Sequence, residues 1–389
     1  MALVVGLHAC TGPADAPTAG AVEVVDSAGV RVVSLSDPAP ADTVSLEPTW
    51  VYGTGQPEYL FQRIVSGALL ADGTAVIADT GADEVLRIGM DGAAHDVVAR
   101  TGQGPGDVRG PRQIIAGTDR RIWVEDMQGG KLMLLEGDSV TGVLSGSDNP
   151  ALGSALMPIG VDSRERLMMT TGGFDPRVEE EWVRGVLAFF TPTEGVVDTV
   201  GSFQSFRRPG EPPYFPLSGG GVVTVAGGQF VTARTDIPAL TWWSPDGGAV
   251  QIARWSAEPR YADDSARADF EASTRGDAER MNPGRSESDY RAMTRSRLER
   301  YVLDDSQPMR LFDDIVGARD GSVWIAPLTI ADGYATAREW SVMSPEGEWL
   351  GAVRFSSPVR ILDVDDDRIL GVQTNAFDVE TVVVYANPL

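Results

Sequence analysis

One short pattern recurs along the chain and limits what it can become: a turn carrying Asp or Gly, then a strand of β-branched and aromatic residues. It occurs at Asp72–Asp79, Asp119–Asp126, Asp162–Met168, Gly227–Val231, Asp320–Ile325 and Asp366–Leu370. After most of these a second apolar run closes on another turn: Val85–Ile88, Leu132–Leu135, Val186–Phe190, Leu240–Trp243 and Trp340–Met343. Each pair reads as a β-hairpin. With Ile77, Val124, Met168, Val231, Ile325 and Leu370 taken as equivalent, the spacings are 47, 44, 63, 94 and 45 residues. Three of these fall near the roughly 40–50 residues of a four-stranded propeller blade. The two long intervals hold insertions: charged and Pro-rich stretches at 172–182 and 203–221, and a strongly charged stretch with helical spacing from Ala257 to about Pro308. The pattern predicts an all-β fold, a six-bladed β-propeller of four-stranded antiparallel blades with a helical insertion.

Composition fits that reading. With 44 Gly and 25 Pro in 389 residues, about one residue in six is a turn former, which suits many short strands better than long helices. A propeller must close its ring or expose strand edges. The N-terminal runs Val22–Val25, Val30–Val33 and Thr43–Leu46 are expected to pair with the last blade, whose strands are Ile369–Val372 and Thr381–Tyr385. The expected organisation is residues 1–21 as a lipoprotein signal and flexible tether, and residues 22–389 as the propeller, with its helical insertion at about 257–308.

The residue inventory excludes much chemistry. The 56 Asp and Glu outweigh the 32 Lys and Arg, giving a net charge of -24, so phosphate backbones are repelled and no nucleic acid partner is expected. Only His8 and His95 are present, so multi-histidine zinc sites are impossible. A Ser-His-Asp triad would need His95, which reads as a solvated residue in a turn. Lys131, the sole lysine, reads as a surface residue in another turn, which leaves Schiff-base chemistry without support. The run Asp363–Asp367 invites a calcium reading, yet it lacks the spacing and glycine of an EF-hand and fits a strand passing into a hairpin tip. No cofactor, metal site or catalytic residue is expected.

The single cysteine, Cys10, follows the apolar run Ala2–Leu7. Leu7-His8-Ala9-Cys10 resembles the lipobox of bacterial lipoproteins, which implies lipid attachment at Cys10. Thr11–Gly20 follows, free of bulky side chains, and reads as a tether. The resemblance implies an extracytoplasmic protein, periplasmic or in the cell envelope, that meets the membrane only through its N-terminal lipid. No other segment approaches the roughly 18 consecutive apolar residues of a spanning helix.

A second resemblance rests on Gly102-Gln103-Gly104-Pro105-Gly106-Asp107-Val108-Arg109-Gly110-Pro111, similar to a G-x-GPGEF-x-x-P connection between blades, followed by Ile122-Trp123-Val124. Asp320-Gly321-Ser322-Val323-Trp324-Ile325 has the matching turn-and-strand form. On these motifs the chain resembles six-bladed β-propeller lipoproteins related to NHL-repeat proteins, from about Val22 to Tyr385. The resemblance implies a ligand- or partner-binding scaffold without a shared active site. In the blade connection, Gly102, Gly104 and Gly106 are expected to supply positive φ.

Two excursions are the candidate partner-binding sites. The first concentrates aromatics and arginine: Phe206, Arg207, Arg208, Tyr214 and Phe215, residue types enriched at interface hot spots. The second is the insertion, with nine arginines from Arg260 to Arg300, where Tyr290, Met293, Arg297 and Tyr301 fall near one helical face. Tyr290, Arg297 and Tyr301 complete the candidate set, against the plainer reading of helices that pack on their own fold. The leading expectation is a non-enzymatic, lipid-anchored propeller binding a protein, peptide or saccharide. The alternatives are a calcium-dependent lactonase or esterase of the gluconolactonase-like type, against which the scarcity of asparagine counts, and an accessory structural subunit of a membrane complex.

Overall fold

Asp and Gly at the tips end each strand after about six residues by giving the backbone a local alternative to the ladder. At Asp72-Gly73-Thr74, the Asp72 carboxylate accepts from the Thr74 amide at 3.1 Å and Gly73 takes φ +84°. At Asp320-Gly321-Ser322 the same bond is 2.8 Å and Gly321 takes φ +94°. The computed structural model describes residues 21–389 except 54–58, 90–94, 103, 105, 118–120, 138, 146–155, 172–181, 208–216, 283, 302, 304–307, 331–335, 376 and 378.

The chain opens with β1 (Val22–Ser27), β2 (Val30–Leu35), β3 (Thr43–Leu46) and β4 (Trp50–Tyr52). Three four-stranded antiparallel sheets follow. The first holds β5 (Ile64–Leu69), β6 (Thr74–Asp79), β7 (Glu84–Gly89) and β8 (His95–Arg100). The second holds β9 (Pro111–Ala116), β10 (Arg121–Asp126), β11 (Lys131–Glu136) and β12 (Ser139–Ser145). The third holds β13 (Leu156–Val161), β14 (Leu167–Thr171), β15 (Trp182–Thr191) and β16 (Val196–Arg207). Next come β17 (Gly221–Ala226), β18 (Gln229–Arg234), β19 (Ala239–Trp243) and β20 (Ala249–Trp255), then α1 (Asp264–Met281) and α2 (Glu287–Leu298). The chain ends with β21 (Phe312–Gly317), β22 (Val323–Pro327), β23 (Ala337–Met343), β24 (Trp349–Val364), β25 (Arg368–Thr374) and β26 (Glu380–Ala386).

All six repeat markers fall on second strands: Ile77 on β6, Val124 on β10, Met168 on β14, Val231 on β18, Ile325 on β22 and Leu370 on β25. The innermost strands touch in cyclic order, β5 to β9, β13, β17, β21, β24 and back to β5, so the sheets stand around an axis in an all-β propeller arrangement. The expectation of six separate four-stranded sheets needs correction. Among the described residues the hydrogen-bonded sheets number five: the three above, a six-stranded sheet β1-β2-β20-β19-β18-β17, and an eight-stranded sheet β21-β22-β23-β24-β25-β26-β4 with β3 beside β24. The eight strands join because β24 runs 16 residues without a turn, pairing β23 with its first part and β25 with its last.

The ring closure also departs from expectation. β2 pairs with β20 and β3 with β24, both parallel, and only the short β4, which the sequence reading missed, joins β26. The N-terminus is therefore a belt that adds strands to the rims of successive sheets before entering the last one. Apolar clusters fill the spaces between neighbouring sheets, as around Val76, Ile114, Val124 and Met133. The insertion, whose spacing predicts one or two helices, forms two. It is seated by Ala262, Ala266 and Met309 on Leu217. Among the described residues, no helix is long and apolar enough to cross a membrane.

Candidate functional site

Each innermost strand bonds one edge to its own sheet and turns the other toward the axis. These free edges wall a cavity of about 470 Å³, to which Gly67, Ile115, Gly160, Val225, Gly317 and Leu362 contribute from the six inner strands. Glycine lets the strands converge. A Cβ on Gly160 would lie 2.7 Å from Val225, and one on Gly317 would lie 2.2 Å from the Val225 carbonyl oxygen.

Buried backbone groups need partners, and polar side chains around the channel supply them across neighbouring strands. Ser66 Oγ accepts from the Ile114 amide at 3.0 Å, Thr224 Oγ1 from Gly317 at 2.8 Å, and Asp363 Oδ2 from Leu69 at 2.7 Å. Asp363 also accepts from Arg319 Nη2 at 2.8 Å, and that guanidinium donates to the Leu69 carbonyl. Burial pushes the Asp363 carboxyl above its ordinary range, with Arg319 opposing the shift. Asp162, at the same end of the channel, accepts from the Arg166 amide at 2.8 Å and from its Nε at 2.9 Å. Ser66, Thr224 and Asp363 join neighbouring inner strands around the ring, while Asp162 closes its own hairpin. Among the described residues, no three His, Cys, Asp or Glu side chains converge as metal ligands. The run Asp363–Asp367 divides its labour: Asp363 stitches to the first sheet, while Asp365 accepts from Arg368 Nε at 3.0 Å and from the Arg368 amide at 2.7 Å.

Two residues read as simple turn positions, His95 and Lys131, have other work. His95 is the first residue of β8, half-buried, with Nδ1 2.5 Å from the hydroxyl of Tyr52 on the closing strand. Beside it the Tyr59 hydroxyl donates to Glu84 at 2.9 Å and Asp79 at 3.2 Å, and burial with these carboxylates drives its pKa upward. Lys131 is largely covered and donates to the Asp107 carbonyl at 2.6 Å, holding the blade connection. In that connection Gly110 takes positive φ, at +68°, whereas Gly102, Gly104 and Gly106 do not. Gly102 is required for a different reason, since a Cβ there would lie 2.0 Å from Asp107 Oδ2. The cross-ring pairs gave no sequence signal, because Arg319 and Leu69 stand 250 positions apart.

Of the predicted partner-binding residues, Arg208, Tyr214 and Phe215 lie outside the described residues, as does Cys10, and the side chains of Phe206 and Arg207 are likewise outside them. The other three join the helices to each other. Tyr290 donates to the Asn282 carbonyl at 3.0 Å, Arg297 approaches Asp277 of α1 at 3.7 Å, and Tyr301 meets Phe270 edge-on at 5.7 Å. Tyr301 remains 37% exposed.

No protein-family model matches the chain, and no curated protein matches it. Among solved structures, the fold is similar to that of a Bacteroides vulgatus member of the duf4221 family, at 11% identity and a TM-score of 0.52, covering 88% of this chain and 96% of that one. It is also similar to a Bacteroides fragilis protein described as exported, at 8% identity and a TM-score of 0.51, covering 92% and 99%. A calcium-binding regucalcin from Agrobacterium tumefaciens aligns at 12% identity and a TM-score of 0.43, covering 89% and 96%. At these identities the likeness is one of fold.

Proposed function

We propose that this protein is an extracytoplasmic propeller, lipid-anchored at Cys10, that binds a protein, peptide or saccharide through loops on one face. The eight-stranded sheet reads as two blades sharing β24, its first part the outer strand of one and its last part the inner strand of the next. Counted so, six blades surround the channel. The observation that carries the binding reading is the commitment of the channel's polar side chains, Ser66, Thr224, Asp363 and Arg319, to bonds between inner strands. Recognition then falls to the connections between blades. The inner strands β17 and β21 both begin on the same face, the first after the segment whose sequence holds Arg208, Tyr214 and Phe215 and the second after the helical insertion, and connections on a rigid scaffold carry binding disproportionately.

The test places a photo-crosslinking amino acid at Tyr214, and separately at Ser163 on the opposite face, in cells labelled with radioactive palmitate. Label that disappears in Cys10→Ala, with adducts from the Tyr214 site alone, supports the proposal. Unlabelled protein in the cytosol, or adducts only from the Ser163 site, overturns it.

A further inference from the structure

A different surface lies on the rim, away from the face loops. β1 is the outermost strand of its sheet and pairs only with β2 among the described residues. All six of its residues are exposed, with Val22, Val24 and Val25 at 42%, 48% and 42%. The outer strands β8, β12 and β16 each join their sheets through a register shift, the irregularity that blunts an edge against further pairing. β1 has none: its register runs unbroken from Val22 opposite Leu35 to Ser27 opposite Val30. An unbroken, exposed edge offers its backbone groups to an added strand.

At the Val22 end the edge runs into a groove of about 220 Å³ with a floor of Leu35, Pro40, Trp349 and Leu350. Trp349 is fixed there by its indole N–H on the Asp37 carbonyl at 3.3 Å and by Trp255 at 5.4 Å. Asp37, Asp42 and Glu348 also line the groove, and no hydrogen bond or ion pair engages their carboxylates among the described residues. On β1 itself Glu23 and Asp26 stand among the valines, with Val22, Val24 and Asp26 on one face and Glu23 and Val25 on the other.

We infer that this rim is a docking strand for an extended cationic segment of a partner protein, which pairs with β1, sets aliphatic side chains against Val22, Val24 and Val25, and places Arg or Lys over the Asp37–Asp42–Glu348 rim. Charge selects this occupant. A second copy brings a net charge of -24 to each side, and antiparallel pairing of Val24 with Val25 sets Glu23 opposite Asp26, like charges that repel. The chain's own residues 1–20 contain Asp15 and neither Lys nor Arg.

The experiment uses the full chain and a fluorescein-labelled (Arg-Val)5 peptide, read by anisotropy. Saturable binding is expected, weakened by salt, while (Glu-Val)5 does not bind. The Asp37→Asn/Asp42→Asn/Glu348→Gln variant should bind roughly tenfold more weakly, at the modest strength of three exposed ion pairs. Val24→Lys, at an exposed position, should keep the melting temperature and weaken binding by a similar factor. Slowed amide exchange on binding should concentrate in Val22–Ser27. Equal binding of both peptides, no binding, undiminished affinity in both variants, or protection elsewhere overturns the inference. A dimer by sedimentation that Val24→Lys dissociates, or peptide binding only after residues 1–20 are removed, overturns it in favour of those occupants.

Discussion

Two carboxylates show how position decides what an aspartate does for this ring. Asp363 satisfies the Leu69 amide and the Arg319 guanidinium together. Removing it leaves the Leu69 amide unpaired and takes one of two partners from Arg319, so Asp363→Ala is expected to cost about 1–3 kcal/mol, the penalty of an unpaired buried polar group, in urea unfolding at pH 7. Among the described residues, Asp314 on β21 accepts only from the adjacent Ile315 amide at 2.8 Å. Burial, with some repulsion from Asp313, pushes its pKa up to about 6. The native state therefore binds a proton between about pH 4 and 6 that the unfolded chain releases. The group's cost to the fold is fully present above that window and fades as pH falls through it. Asp314→Asn is predicted to be more stable than the parent at pH 7.5, with the difference shrinking by pH 4.5. Equal unfolding midpoints at both pH values would contradict this.

At the scale of elements, the short β4 matters more than its three residues suggest. Tyr52 is 4% exposed, packs on Trp50 and Phe61, and reaches His95 in the first sheet. Tyr52→Ala is expected to destabilise by about 3–5 kcal/mol, as for other large buried aromatics, and to speed amide exchange at Val382–Val384, which β4 covers. Val25→Ser in the exposed β1 should change the unfolding free energy by less than about 0.5 kcal/mol. The helical insertion depends on local signals: Ser286 caps α2 with a capping box, accepting from the Asp289 amide while Asp289 accepts from its own. Its contact with the propeller is an apolar cluster around Leu217, Ala262, Ala266 and Met309, which marks it as an appendage to the ring.

For the whole molecule, the belt and the closure act as one constraint. β2, β3 and β4 occupy the rims beside β20, β24 and β26. A variant beginning at Phe61 leaves those edges bare and is predicted to aggregate on expression, as unpaired edges do. One beginning at Val22 keeps every described strand and should melt within a few degrees of the full chain. A soluble, monomeric Phe61 variant with native circular dichroism would show that the ring closes without its belt.

The six turn-and-strand repeats were legible from local chemistry: Asp and Gly at tips, β-branched and aromatic residues between them, and the helical spacing of the insertion. Such signals are carried by residues close together in the chain. The strand that closes the ring, the parallel belt and the fusion of sheets through β24 were not legible. β4 has three residues and no periodicity to detect, and parallel pairing of β2 with β20 leaves no mark in either segment. The roles of His95, Lys131 and Arg319 depended on partners tens to hundreds of residues away. What the sequence determined by itself was the repeating unit, because turn propensity and side-chain alternation act over a few residues. How the units join, and which polar groups the channel consumes, was decided by tertiary structure, since only closing the ring brings Asp363 to Leu69 and Tyr52 to His95.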